Sequence, residues 1–194
     1  QAHGATVDRN TMIVKVPGHV IEAALKKAPP IFTIAARDPS RDLSLDGNHV
    51  YVGTDGCGVE VIDLLTNERR RSRLQDVADI ARVADYLEEI AFHWTAVSAQ
   101  DCPAETRSLH ELRAIWENST KHVQTESIYS EREAVAAVEM AAAIAGGRKA
   151  LRERPQLSIT QCTVPPLGQD GGSIEAALIA AEAGIPVGFM TMTA

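Results

Sequence analysis

The sequence lacks several features that would assign it to a class at once. No window of about 18 apolar residues, the length that a membrane-spanning helix needs, is present. The three cysteines, Cys57, Cys102 and Cys162, are far apart and form no C-x-x-C pair, so their spacing indicates neither a disulfide framework nor a zinc knuckle. Basic residues are also few, since the formal net charge is −7. These absences predict a cytoplasmic protein with no membrane and no nucleic-acid partner.

The composition is that of a globular protein. Of its 194 residues, 45% are hydrophobic and 23% are charged, which is enough to bury one sizeable core. The chain begins with Gln1-Ala2-His3-Gly4, which is neither an initiator methionine nor a signal peptide. We therefore expect this sequence to be a piece of a longer chain.

The first part of the chain, residues 1–72, has a mixed pattern. Pro17 and the Pro29-Pro30 pair bracket a short apolar-periodic segment that predicts a helix. Three β-prone runs follow, at Ile31–Ala35, Val50–Gly53 and Val59–Ile62, and turn-forming Asp-Gly pairs separate them. This pattern predicts a small, mixed, β-rich N-terminal segment that contains a β-meander.

The second part, residues 73–194, alternates between helical and strand-like patterns. Three S-x-x-E/Q capping boxes predict helix starts, at Ser72/Gln75, Ser108/Glu111 and Ser130/Glu133, and a fourth helix is predicted from Ser173 to Gly184. Between and after these helices lie four predicted strands: Trp94–Ser98, His122–Thr125, Leu157–Thr160 and Pro186–Met190. Strands joined by helices must run parallel, so the fold class is α/β.

A doubly wound sheet and a barrel both satisfy this alternation. The first of these strands is not followed by a G-x-G-x-x-G fingerprint, which a dinucleotide-binding fold would need, and the strands end in polar or proline-bearing loops. We therefore predict a (β/α)8 TIM barrel. A complete barrel needs about 250 residues, so we expect only about the first four β/α units here.

Polar side chains at the carboxyl ends of parallel strands converge on the ligand in folds of this class. The candidate substrate-binding residues are those that follow the four predicted strands: Asp101, Glu126, Gln161, Thr191 and Thr193. Two carboxylates facing a mouth with apolar walls would suit a methylated amine, which offers only charge and methyl groups. Each position also has a structural alternative, because Asp101 can cap a helix and the others can satisfy backbone groups.

Two further patterns were weighed as sites. Cys102, Cys162 and His122 lie near strand ends, but their spacing is not that of a zinc site and His122 begins its strand, so we predict no metal. Gly171-Gly172-Ser173 at a helix start is able to bind an anion through free amides, which would suit a phosphosugar or nucleotide enzyme. A simple helix cap explains that segment equally well.

Segments spread along nearly the whole chain resemble the trimethylamine methyltransferase family. They are Gly4–Asp8, Ala28–Pro30, Ala36–Pro39, Val59–Asp63, Asp76–Arg82, Asp101–Pro103, Met140–Gly147, Arg152–Pro155, Val164–Leu167 and Ala183–Val187. No single segment is decisive, and the resemblance rests on their order and spacing. It implies a (β/α)8 barrel that moves a methyl group from a tertiary or quaternary methylamine to a corrinoid carried by a separate partner protein.

The resemblance also implies what this chain would lack. The trimethylamine enzymes of the family use a pyrrolysine from the second half of the barrel, and many relatives without it act on glycine betaine or similar amines. We expect the latter substrate class, no covalently bound cofactor, and no activity from this piece alone. Exposed strand edges predict self-association, so we also expect a homo-oligomer. A non-catalytic module that binds a small ligand remains the alternative.

Overall fold

A computed structural model of the chain describes residues 1–190. The strands are β1 (Thr6–Asp8), β2 (Ile13–Lys15), β3 (Phe32–Ile34), β4 (Leu43–Leu45), β5 (Val52–Gly53), β6 (Glu60–Ile62), β7 (Arg69–Arg71), β8 (Ile90–Trp94), β9 (His122–Thr125), β10 (Leu157–Cys162) and β11 (Val187–Met190). The α-helices are α1 (Gly18–Lys27), α2 (Leu74–Tyr86), α3 (Arg107–Asn118), α4 (Glu131–Ala145), α5 (Arg148–Glu153) and α6 (Gly171–Ala183). None of the helices within residues 1–190 has the length and apolar character that crossing a membrane requires.

The chain divides into two compact units, Gln1–Phe32 and Thr33–Ala194. In the first unit, β1 and β2 form an antiparallel hairpin. Helix α1 then starts directly after Pro17 and ends before Pro29, which confirms the predicted helix. None of the residues of α1 is buried.

The second unit is built on a five-stranded parallel sheet in the order β11-β10-β9-β8-β5. Every strand lies beside its predecessor in this series, whereas a doubly wound sheet reverses its order at a switch point. Helices α2, α3, α4 and α6 also pack against one another in sequence. The predicted α/β class with a parallel sheet is confirmed, and the strand order is that of a barrel wall rather than of a dinucleotide-binding sheet.

The N-terminal strands do not form the predicted meander. Strand β5 instead pairs parallel with β8 as the first strand of the main sheet, so this sheet has five strands and not the four expected. The other short strands form separate two-stranded sheets, β3 with β4 and β6 with β7. The domain boundary predicted at residue 72 stays a prediction. Pattern alone missed the pairing of β5 because a two-residue strand carries no alternation to read.

The first predicted barrel strand is displaced. Trp94–Ser98 was expected, but β8 runs from Ile90 to Trp94, where Phe92 and Trp94 pair with His122 and Gln124 of β9. Beyond Trp94 the regular hydrogen bonding between β8 and the chain after β5 is interrupted. The Ala96 carbonyl there accepts hydrogen bonds from two successive amides, those of Cys57 and Gly58. The other strand predictions are confirmed to within two residues.

Only one of the three predicted capping boxes forms a cap. Ser130 accepts a hydrogen bond from the Glu133 amide at the start of α4, at 3.3 Å. Ser72 instead donates to the Ser98 carbonyl at 2.6 Å, and Ser108 lies inside α3 and donates to Glu133 at 2.8 Å. The S-x-x-E/Q pattern was wrong at these two positions because tertiary partners compete for the serine hydroxyl.

One hydrophobic core lies between the sheet and the helices. Alternate residues of the central strands point into it, because successive side chains of a strand face opposite sides. Its fully buried members include Val123, Leu157 and Ile159 from the strands and Leu112, Ile115 and Leu151 from the helices. The opposite face of this sheet, which we call the wall, is therefore its inner face. On β9 and β10 this face carries His122, Gln124, Ser158 and Thr160.

The amino ends of the strands are covered by residues 33–45. The Arg154 guanidinium makes a bidentate pair with the Asp42 carboxylate, at 2.6 and 2.9 Å. Next to this pair, the ring of His122 is fully buried, with its Nδ1 at 2.7 Å from the Ala35 carbonyl oxygen and its Nε2 at 2.9 Å from Ser158 Oγ. These contacts tie the segment to β9, β10 and α5.

Lys121 contributes to stability at the end of α2. Its buried ammonium donates to the carbonyl oxygens of Ala84 and Leu87, at 2.5 and 2.6 Å, where helix carbonyls have no intrahelical partner. We expect Lys121→Met to lower the free energy of unfolding in urea by about 1–3 kcal/mol, since both carbonyls lose a charged donor. The matched variant Lys149→Met, on an exposed helix face, should leave it almost unchanged. Equal stability of the two variants would contradict this role.

Candidate functional site

Glu126 lies at the carboxyl edge of the sheet, directly after β9. Val123 and Thr125 of this strand are buried, and Gln124 and Glu126 are only partly buried. Since side chains alternate along a strand, Gln124 and Glu126 share the inner face of the wall. The sequence prediction for Glu126 therefore falls at the mouth, where ligands bind in parallel α/β folds.

Cys57 lies at the same edge of the sheet, in the loop that follows β5. Its backbone has a φ of 87°, which is uncommon for a residue with a side chain, and it follows Gly56, where a Cβ would lie 2.5 Å from the Ala96 carbonyl oxygen. This tight passage directs the thiol across the end of β8. Cys57 Sγ consequently lies 3.6 Å from both the Thr95 carbonyl oxygen and Ser127 Oγ.

The charge of Glu126 acts on three neighbouring groups. Burial, and after it the neighbouring Glu126 carboxylate, raise the pKa of the Cys57 thiol to about 12. Burial, and then the charge of Glu126, raise the pKa of Tyr129 to about 12 as well. The pKa of Cys162 is raised by the same two causes. Cys57, Tyr129 and Cys162 consequently stay protonated and neutral, so the groups on which Glu126 acts are uncharged thiols and a phenol. We call these four residues the mouth cluster.

Asp101 does not join the mouth cluster in the structure. Its carboxylate accepts a hydrogen bond from the Leu74 amide at 2.8 Å, at the first turn of α2, and the residue is exposed. This contact satisfies one of the free amides of the helix start, as a capping carboxylate does. Of the two carboxylates considered from the sequence, Glu126 alone is placed on the inner face of the wall.

The other sequence-predicted site residues have different placements. Gln161 is buried on the helix-facing side of β10, where its Nε2 donates to the Ile128 carbonyl at 3.1 Å. This contact ties β10 to the loop that follows β9. Thr191 and Thr193 lie outside the described residues.

The zinc and anion alternatives can be compared with the geometry. Within residues 1–190, no three histidine, cysteine or acidic side chains gather in a way that would hold a metal ion. At the start of α6, the Asp170 carboxylate already accepts from the Ser173 amide at 2.9 Å and from the Ser173 hydroxyl at 3.1 Å. Its negative charge occupies the position that a phosphate would take, so a helix cap accounts for this segment.

Sequence reasoning predicts Glu126 as a site residue but does not indicate most of the groups that the structure places near it. Cys57 lay in a region expected to be a separate meander, and Tyr129 was not considered. The available signal was the Asp55-Gly56 pair directly before Cys57, because a turn next to a short strand marks the end of that strand. A strand as short as β5 did not by itself indicate membership of the main sheet.

The fold and the mouth cluster define a class of protein. A sequentially ordered parallel sheet with a carboxylate at the carboxyl ends of its strands is typical of α/β proteins that bind small ligands at that edge. The model of the family described as trimethylamine methyltransferase (MTTB) matches residues 1–194. The chain therefore belongs to the trimethylamine methyltransferase family.

Individual relatives support this membership. The chain is 35% identical over 189 residues to the trimethylamine methyltransferase MttB of Desulfitobacterium hafniense (strain DSM 10664 / DCB-2), covering 97% of the chain and 38% of that relative. It is 32% identical over 165 residues to a glycine betaine methyltransferase of Desulfitobacterium hafniense (strain Y51), covering 84% of the chain and 34% of the relative. Identity to the trimethylamine methyltransferase MttB of Methanosarcina thermophila is 27% over 194 residues, covering 98% of the chain and 40% of the relative. The chain thus spans about 40% or less of the length of these relatives.

Proposed function

We propose that the full protein transfers a methyl group from a tertiary or quaternary methylamine to the corrinoid of a cytoplasmic partner protein. The observation that carries this proposal is the position of Glu126, a partly exposed carboxylate on the inner face of the wall, among neutral groups. Family membership supports the reaction class. A single negative charge lined by Cys57, Tyr129 and Cys162 suits an ammonium that presents only methyl groups.

The residues of this chain would bind and orient the amine. The Glu126 carboxylate attracts the ammonium, and the neutral thiols and the phenol contact its methyl groups without adding a competing charge. The partner's corrinoid, in its Co(I) state, would supply the nucleophile that accepts the methyl group, and the electron pair of the broken C–N bond would stay on the amine nitrogen. Cys57, Glu126 and Cys162 remain partly exposed, so a group carried by a second protein has access to the mouth. Orientation then supplies much of the rate.

We further propose that the sheet closes into a (β/α)8 barrel in the full protein. Strands β5, β8, β9 and β10, each followed by a helix, are then its first four β/α units, and β11 is the fifth strand. The barrel places Glu126 at the catalytic face, and Thr191 and Thr193 remain predicted members of the same pocket wall. The substrate class that we favour is a quaternary amine of the glycine betaine type.

The proposal is tested with the full-length protein, its corrinoid partner and Co(I). Methylcobalamin should form, as followed by absorbance, with at least one member of a panel of methylamines and betaines. No methyl transfer with any member would contradict the enzymatic function. Tight calorimetric binding of a betaine without transfer would instead favour the non-catalytic binding module.

We also propose that the chain associates with further copies of itself. Among residues 1–190, strands β5 and β11 each pair on one side only, so both edges of the sheet are open within this range. Beside β5, a groove of about 560 Å³ runs between α2 and the β6–β7 hairpin, and its exposed lining includes Leu64 and Leu65. We expect the 194-residue chain to sediment as a dimer or larger species at micromolar concentration, and Leu65→Glu to shift it toward monomer. A wild-type chain that sediments only as a monomer would contradict this.

A further inference from the structure

The inner faces of β9 and β10 are polar below the mouth cluster, beside the aromatic Phe92 and Trp94 of β8. Barrels of this type usually fill their interior with layers of branched aliphatic side chains. Here the inward positions of β9 and β10 beneath the mouth are His122, Gln124, Ser158 and Thr160, while the helix-facing positions of the same strands are apolar at Val123, Leu157 and Ile159. An interior with this composition is suited to a ligand rather than to hydrophobic packing.

We call these inward side chains of β9 and β10 the polar column. Its bottom, at the amino ends of the strands, is closed. Ala35, His122 and Ser158 are buried, and both ring nitrogens of His122 have partners, as described above. Neither ring nitrogen of His122 is therefore left for a ligand, and Ser158 is only 7% exposed. A molecule bound inside the wall lies between this bottom layer and Glu126.

The layer between the bottom and the mouth differs, because it holds hydrogen-bond donors without acceptors. Gln124 Nε2 donates to Thr160 Oγ1, so the Thr160 hydroxyl proton and the second amide proton of Gln124 remain to be donated. Trp94, which is paired with Gln124 in the sheet, has a buried indole Nε1 with no acceptor among the described residues. Thr160 is itself only 4% exposed. A buried donor such as the Trp94 indole N–H is costly unless a ligand supplies the acceptor.

We propose that Trp94, Gln124 and Thr160 bind the polar tail of the methylated amine and determine which amine is accepted. The inference rests on the proposed function for the position of the ammonium at Glu126. Gln124 precedes Glu126 by two residues, which is about 7 Å along a strand. An ammonium at Glu126 then has its methyl groups toward the open mouth and its tail toward the three donors. The ligand class is an ammonium carrying a hydrogen-bond acceptor, such as a carboxylate, a few bonds from nitrogen.

The test uses the full-length protein and two probes that differ only in the tail, glycine betaine and tetramethylammonium. Three variants remove the donors. Gln124→Leu and Thr160→Val do so with little change in shape, and Trp94→Phe keeps one aromatic ring. Calorimetric affinity for glycine betaine should fall about tenfold to a hundredfold in each, and affinity for tetramethylammonium by less than about threefold. Thr106→Val, at an exposed position before α3, serves as the control and should leave both affinities unchanged.

Gln124→Glu gives an independent test if a donor-removing variant fails to fold. Its added carboxylate repels the tail of glycine betaine and attracts tetramethylammonium, so the two affinities should move in opposite directions. Equal changes for both probes, or none, would overturn the tail site.

The failure of this inference is distinguishable from the failure of the proposed function. Methyl transfer by the wild-type protein together with probe-independent effects of the variants would remove the tail site and leave the function standing. Tail-dependent binding without methyl transfer would support the tail site and contradict the enzymatic function.

Discussion

Glu126→Gln should lower kcat/KM for methyl transfer by the full-length protein about a hundredfold. The substitution preserves size and removes only the charge, so the ammonium loses its anionic partner in a partly buried site where such a loss costs about 2–5 kcal/mol. KM should carry most of the change. As the methyl group leaves, the nitrogen becomes neutral, and the carboxylate therefore stabilises the bound amine more than the transition state.

The matched control is Asp101→Asn, since both carboxylates follow strands of the same sheet. Asp101 accepts from the Leu74 amide at the start of α2, and the asparagine oxygen can still accept there. This variant should therefore lose only about 0.3–1 kcal/mol of stability, from the charge removed near the helix start, and keep its KM. Steady-state kinetics over a range of amine concentrations, with a urea titration of each variant, separates the two roles. Wild-type KM in Glu126→Gln, or a raised KM in Asp101→Asn at full folding, would contradict the assignment of Glu126.

The sequence predicted the helices and most strands of the main unit correctly because they are long enough to show periodicity. The buried strand β9 was found with its bounds unchanged, and Gly184 ends α6 with a positive φ of 85°, as predicted. Strand β8 was displaced because Thr95–Ser98 is as β-prone as Ile90–Trp94. Only the partner strand decides which of the two segments pairs.

The candidate site was predicted less completely because it is assembled from separate strands. Glu126 is predicted from its place after one strand, but the approach of Cys57 to the same edge depends on the register of β5 and on a backbone with positive φ, neither of which has a periodic signal. Asp101 shows the converse limit. A carboxylate after a strand gives the same sequence pattern whether it faces a ligand or a neighbouring helix amide. Only its position in the folded protein distinguishes these two roles.

His122 should make the stability of the chain depend on pH between about 4 and 6.5. Burial lowers the pKa of this ring from its ordinary value of 6.5 to about 4, so the folded protein keeps it neutral while the unfolded chain binds a proton. In that window the unfolded state holds more protons, and the free energy of unfolding therefore rises with pH. The stabilisation is fully present above pH 6.5, and about 3 kcal/mol of it is lost as the pH falls to about 4.

The effect is isolated by subtracting the pH profile of His122→Asn from that of the wild type, both measured by urea unfolding between pH 4 and 8. The asparagine amide can still donate to the Ala35 carbonyl but does not titrate, so the contribution of other groups, including the buried Glu111, whose pKa burial raises, cancels in the difference. Exposed His19 supplies the control, since His19→Asn should keep the wild-type profile. Parallel profiles for the wild type and His122→Asn would show that protonation of His122 does not oppose folding. The closed bottom of the polar column would then have to tolerate an imidazolium, contrary to its two hydrogen bonds and complete burial.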